Sequence, residues 1–164
     1  MAKAEFFKNI SYIIENNEAR LSYGVAVSDF DNDGLYEFIV TGFGYPNLAL
    51  KFDKGILKNS INNNLFSDQD RRTIGVAACD IDQDGIEEIY FLNTDTYSGN
   101  KKYSDRLLDN KENIIDLFEI DENLENLNLT AGRSVVCVDR EGLGQYGIYV
   151  ANYGGPTRFY EINN

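Results

Sequence analysis

The segment Gly24-Val25-Ala26-Val27-Ser28-Asp29 returns 51 residues later as Gly75-Val76-Ala77-Ala78-Cys79-Asp80. Each copy runs into Asp-x-Asp-Gly, an acidic position and an apolar run. The runs are Phe38-Ile39-Val40 and Ile89-Tyr90-Phe91-Leu92. A weaker third copy begins at Arg133-Ser134-Val135-Val136-Cys137-Val138-Asp139, passes a Gly-rich turn and ends in Tyr146-Gly147-Ile148-Tyr149-Val150. A repeat of about 50 residues is too long for one hairpin and suits one four-stranded propeller blade. The expected fold is therefore all-β: three four-stranded propeller-type blades forming a partial β-propeller. The chain reads as one domain, residues 1-164, of three repeats at about 1-58, 59-120 and 121-164.

Short runs rich in Val, Ile, Tyr and Phe, bounded by Gly, Asn and Asp, mark the strands. They are expected at Ser22–Ser28, Tyr36–Thr41 and Leu48–Phe52 in the first unit. The second unit offers Ile74–Cys79, Glu87–Leu92, a stretch near Tyr103–Leu108, and Ile114–Ile120. The third offers Ser134–Val138, Gln145–Ala151 and Arg158–Ile162. Phe6–Ile14 fits a helical face and a strand equally well.

Charge and residue usage narrow the chemistry. Lys and Arg number 15 against 27 Asp and Glu, a net charge of −12, which disfavours nucleic acid and anionic membranes as partners. No apolar run approaches the ~18 residues of a membrane span. Met1–Ile14 lacks the layout of a signal peptide. The absence of His removes Ser-His-Asp and Cys-His catalysis and His-ligated zinc. Cys79 and Cys137 are too few for a disulfide scaffold. Taken as residues of neighbouring strands, they point to opposite faces, so two buried free thiols are expected.

Two loops hold the most specific signal. Asp29-Phe30-Asp31-Asn32-Asp33-Gly34-Leu35-Tyr36-Glu37 and Asp80-Ile81-Asp82-Gln83-Asp84-Gly85-Ile86-Glu87-Glu88 both place carboxylates at positions 1, 3, 5 and 9 and Gly at 6. Calcium takes six to eight oxygens, and alternate positions of a tight loop converge theirs on one point. The expected ligands are Asp29, Asp31, Asp33, the Leu35 carbonyl and Glu37, then Asp80, Asp82, Asp84, the Ile86 carbonyl and Glu88. That gives two Ca2+ ions per chain. Asp, Asn and Gly also make plain turns, but carboxylates this dense repel one another without a cation. An EF-hand is excluded, since position 12 is Val40 or Phe91 and the flanks are β-like. The third loop, from Asp139 to Gly147, has Leu143 at position 5, Gly147 at position 9 and Arg140 inside it, so no calcium is expected there.

These loops resemble the FG-GAP/VCBS repeats of integrin α-subunit propellers. More narrowly, the blocks beginning Tyr23-Gly24, Ile74-Gly75 and Ala131-Gly132, which include Cys79-Asp80-Ile81-Asp82 and Ala131-Gly132-Arg133-Ser134, resemble the propeller of the cartilage acidic protein family. They cover about half the chain, in matching order. The resemblance implies a β-propeller with calcium in the loop joining the first two strands of a blade. It also implies a secreted or cell-surface setting and adhesion or interaction roles. Family propellers have about seven blades; three units are present here.

Three blades form an arc with an apolar face at each end, and closed propellers hide such faces. A homo-oligomer that closes the ring is expected, a dimer being the simplest; the alternative expectation is a piece of a larger propeller. The function expected is a calcium-binding, non-catalytic interaction or adhesion scaffold with a protein or glycan partner. The rivals are a polysaccharide-acting hydrolase using a carboxylate pair and a purely structural self-assembling unit. Arg133 and Arg158 are expected to pair with surface carboxylates. The acceptor patterns Asn9-Ile10-Ser11 and Asn128-Leu129-Thr130 are read as chance matches in an Asn-rich chain.

Overall fold

Alternation of inward and outward side chains along short strands produces three antiparallel sheets, described by a computed structural model over residues 6–163. Residues 1–5 of the Met1–Ile14 stretch, and Asn164, lie outside the described residues. The first sheet has the order β1 (Val25–Ser28), β2 (Glu37–Val40), β3 (Leu48–Asp53), β4 (Ile56–Asn59). The second runs β5 (Thr73–Cys79), β6 (Glu88–Asn93), β7 (Arg106–Asp109), β8 (Ile115–Asp116). The third holds β9 (Gly132–Val138), β10 (Gly147–Asn152) and β11 (Arg158–Tyr160).

Each sheet is an up-and-down meander, and the first strands β1, β5 and β9 lie side by side. This is the layering of blades in a propeller arc. The third blade shows three strands among the described residues, where four were expected. Ile114–Ile120 is strand only at Ile115–Asp116, after which it tightens into a 3-10 turn at Leu117–Glu119. Phe6–Ile14 is neither a long helix nor a strand. It makes one 3-10 turn, Ser11–Ile13, and Ile14 then bridges Leu57 in parallel.

The pleat assigns alternate residues of the middle blade to different cores. Ile89, Phe91, Val76 and Leu108 face the first blade, where Phe30, Ile39, Ala49 and Phe66 meet them. Tyr90, Leu92, Ala77 and Leu107 face the third blade, and Ile148 and Val150 pack there. β6 is accordingly buried at every residue. Gly24 is needed where β1 crosses β5: a Cβ there would stand 3.0 Å from the Gly75 Cα.

The expectation of two free thiols is wrong. Cys79 and Cys137 form a disulfide with Cα atoms 6.2 Å apart. The opposite-face argument holds within one sheet, but β5 and β9 belong to stacked sheets. Cys79 ends β5 facing the third blade, and Cys137 faces back from β9. The bond staples blade to blade.

A polar network also lies buried between these blades. Lys101 Nζ contacts Asp105 and donates to the Asn93 carbonyl at 3.1 Å. The Tyr90 hydroxyl and the Asn128 amide donate to Asp105 Oδ2 at 2.8 and 2.6 Å. Asn128, of the acceptor pattern noted above, is thus wholly buried.

Candidate metal centre

The two acidic loops join the first and second strands of their blades and fold alike. In both, position 4 (Asn32, Gln83) and position 6 (Gly34, Gly85) have positive φ, which a non-glycine residue tolerates only at some strain. Both oxygens of the position 1 carboxylate accept N–H bonds from positions 5 and 6. These are Asp33 and Gly34 to Asp29 at 3.0 and 2.9 Å, and Asp84 and Gly85 to Asp80 at 3.1 and 3.0 Å. The N–H of Leu35 donates to Asp33 and that of Ile86 to Asp84. These bonds pin the turn and bring the position 3 carboxylate over position 1.

Position 9 opens the second strand, where the pleat turns Glu37 and Glu88 into the interior. One oxygen of each is held alike: Phe30 N–H donates to Glu37 Oε2 at 3.1 Å, and Ile81 N–H to Glu88 Oε2 at 2.8 Å. The other oxygens differ. Glu37 Oε1 lies 2.8 Å from Lys51 Nζ, an ionic contact outside hydrogen-bonding angles. Glu88 Oε1 is buried and has no partner among the described residues.

The expected ligands therefore assemble in two ways. Asp29, Asp31 and Asp33 converge in the first loop, with oxygens within 4.8 Å of one another. Lys51 Nζ lies 2.7 Å from Asp31 and from Asp33. In the second loop Asp80, Asp82 and Glu88 converge within the same limit. Asp84 is not part of that group: its side chain is only 12% exposed, and its carboxylate stands 2.8 Å from the ammonium of Lys111, which is itself mostly exposed. Carboxylates of three residues aimed at one point, one of them carrying an orphaned buried oxygen, form a donor set that fits a hard divalent cation.

The electrostatics follow the same division. Burial pushes the Glu88 carboxyl up to about 7, and the charges of Asp82 and Asp109 push the same way against the Ile81 N–H. Glu37 is raised by burial but opposed by Lys51. For the Lys51 ammonium, burial alone would lower the value. Contacts with Asp31, Asp33 and Glu37 outweigh it and hold the ammonium well above the ordinary lysine range. Asp33 and Asp84 are held below the usual carboxylate range by Lys51 and Lys111.

In the third loop Asp139 is spent on the backbone, accepting from the N–H groups of Gly142, Leu143 and Gly144. Its carboxyl is lowered, most strongly by Gly144. Arg140 pairs with Glu161 at 2.6 Å and with Glu141 at 2.5 Å.

Sequence reasoning missed Lys51, Asp109 and Lys111. The signal was the hairpin register, since Lys51 stands directly opposite Glu37 across β2 and β3. It also misplaced Arg133. That guanidinium stacks between the rings of Tyr97 and Tyr153, 5.4 and 5.0 Å from their centroids, and donates to backbone carbonyls. With Tyr23, Phe43, Ile74 and residues 94–97 it lines a hollow of about 680 Å3.

Residues 29–91, which hold both loops and most of the strands around them, match the family model described as an FG-GAP-like repeat. The chain is 44% identical over 91% of its length to cartilage acidic protein 1 of Xenopus tropicalis, and 42% identical to the proteins of that name from Homo sapiens and Mus musculus. It spans about a quarter of the length of these relatives: 26%, 25% and 26%.

Proposed function

We propose that this chain, whose residues 29–91 match an FG-GAP-like repeat and which is similar to cartilage acidic protein 1, is a calcium-binding, non-catalytic interaction module working outside the cell. The observation that carries the reading is Glu88 Oε1: buried, without a partner, and within 4.8 Å of the Asp80 and Asp82 oxygens. A buried acceptor left unmade is costly, and a bound cation removes that cost. Asp80, Asp82 and Glu88 would hold the ion, which would supply positive charge between the second and third blades. The Cys79–Cys137 bond supports an oxidising compartment.

The hydrolase alternative needs two carboxylates facing a cleft at ~5 Å or ~6.5–9.5 Å. The hollow beside Arg133 is lined by one, Asp95. The smaller hollow beside Tyr160 has Glu125 and Glu161, and Glu161 is paired with Arg140. The Tyr- and Arg-walled hollow better suits a protein or glycan partner than bond cleavage.

The test is a calcium titration of chelated protein followed by thermal melting. A rise of several degrees that Asp82→Asn abolishes supports the reading. An equal melting temperature with and without calcium overturns it.

A further inference from the structure

The two loops match in sequence pattern and backbone but differ in what stands opposite position 9 on the third strand of the blade. In the first blade that residue is Lys51, paired with Glu37 across β2 and β3. Its side chain is only 12% exposed, and its nitrogen touches Asp31, Asp33 and Glu37 at 2.7, 2.7 and 2.8 Å. An ammonium has three N–H groups and no lone pair, and three carboxylates surround it. In the second blade Ile89 pairs with Leu108, so the residue one step on, opposite Glu88, is Asp109. The ammonium of Lys111 pairs with Asp84 alone, at 2.8 Å. In the third blade Ile148 pairs with Tyr160, which puts Glu161 opposite Gly147, and Arg140 neutralises it.

We propose that the two acidic loops take different cations: the first is neutralised by the tethered ammonium of Lys51, and only the second takes a divalent ion. The second half rests on the calcium reading above. The first half stands on the position of Lys51 alone. A calcium ion entering the first loop must expel a cation that is covalently attached and held at three carboxylates. The tether gives that ammonium an effective concentration on the order of millimolar, against which the free ion competes. The second loop has an aspartate where the first has the lysine, and its three inner carboxylates touch no ammonium or guanidinium among the described residues. The chain thus carries one calcium-dependent and one calcium-independent blade joint.

Native mass spectrometry of the full chain in calcium, with calorimetric titration, counts the ions. One ion is expected for the natural sequence, none for Asp82→Asn, two for Lys51→Met and one for the double variant. Two ions in the natural sequence, or an unchanged count in Lys51→Met, overturns the proposal while leaving calcium binding intact. No ion in the natural sequence but one in Lys51→Met sinks the calcium reading of the second loop and sustains the role of Lys51. None in either sinks both. Should Lys51→Met not fold, Asp109→Lys tests the same idea in reverse. Grafting the ammonium opposite Glu88 should weaken calcium binding by at least tenfold, and unchanged affinity would overturn the proposal.

Discussion

At the scale of single residues, the second loop depends on Glu88. Its carboxylate is buried, one oxygen lacks a partner, and its pKa is pushed up to about 7. Glu88→Gln keeps the shape and removes the charge. The variant should lose the calcium-dependent rise in melting temperature yet be at least as stable as the natural chain in chelator near neutral pH. Paired melts check this. The pH dependence has a definite sign. An acid whose folded pKa lies above its unfolded value holds its proton more tightly in the fold. Without calcium, then, the Glu88 contribution should rise as pH falls from about 7 to about 4.5 and stay lost above about 7. With calcium the trend reverses, because the ion requires the carboxylate. Melting temperatures of the natural chain minus those of Glu88→Gln, taken across that window in both conditions, isolate the effect.

At the scale of elements, blades are joined by more than apolar packing. The Cys79–Cys137 bond links β5 to β9 across 58 residues of sequence. Loop-closure entropy for such a span is worth about 4 kcal/mol. Cys137→Ser with Cys79→Ser should lower stability by about that amount in chemical denaturation, and reductant should lower the melting temperature of the natural chain alone. The buried Lys101–Asp105 pair ties the end of β6 to the approach to β7 and the third blade. Burial draws both groups toward their neutral forms, and the contact between them opposes it. Lys101→Met strands Asp105 among Tyr90, Asn93 and Asn128 and should cost about 3–5 kcal/mol, read from urea unfolding. The strand that sequence reading missed, β4, has a plain reason. Ile56–Asn59 is mostly exposed and has no clean alternation, and it is set by the Lys54-Gly55 turn, where φ is 50° and 93°.

At the scale of the whole molecule, the arc ends in two apolar faces. Val25, Val27, Phe38 and Phe52 project from the first blade away from the second, and Val136, Tyr149 and Phe159 from the third. Inside the arc the corresponding faces bury residues such as Ile39 and Ile148 completely. Surfaces of this kind drive association, so our proposal is that the chain by itself forms a dimer or larger ring. Sedimentation should show that species, and Val27→Lys with Phe38→Lys should yield a monomer with its calcium response intact. A natural chain that sediments as a monomer would overturn it.

The repeat of Gly24–Asp29 at Gly75–Asp80 was enough to determine an all-β chain of blades. The spacing of carboxylates was enough to locate both loops, down to the turn at Gly34 and Gly85. Those are local properties, set by side-chain alternation and backbone sterics within a few residues. What faces what was decided only in three dimensions. The pairing of Cys79 with Cys137 and the seating of Arg133 between two tyrosines depend on the stacking of separate sheets. The contrast between Lys51 and Asp109 depends on hairpin register across loops of unequal length. Two loops with one pattern differ because a charge some 14 residues further along the chain in one, and 21 in the other, is brought opposite the same glutamate position.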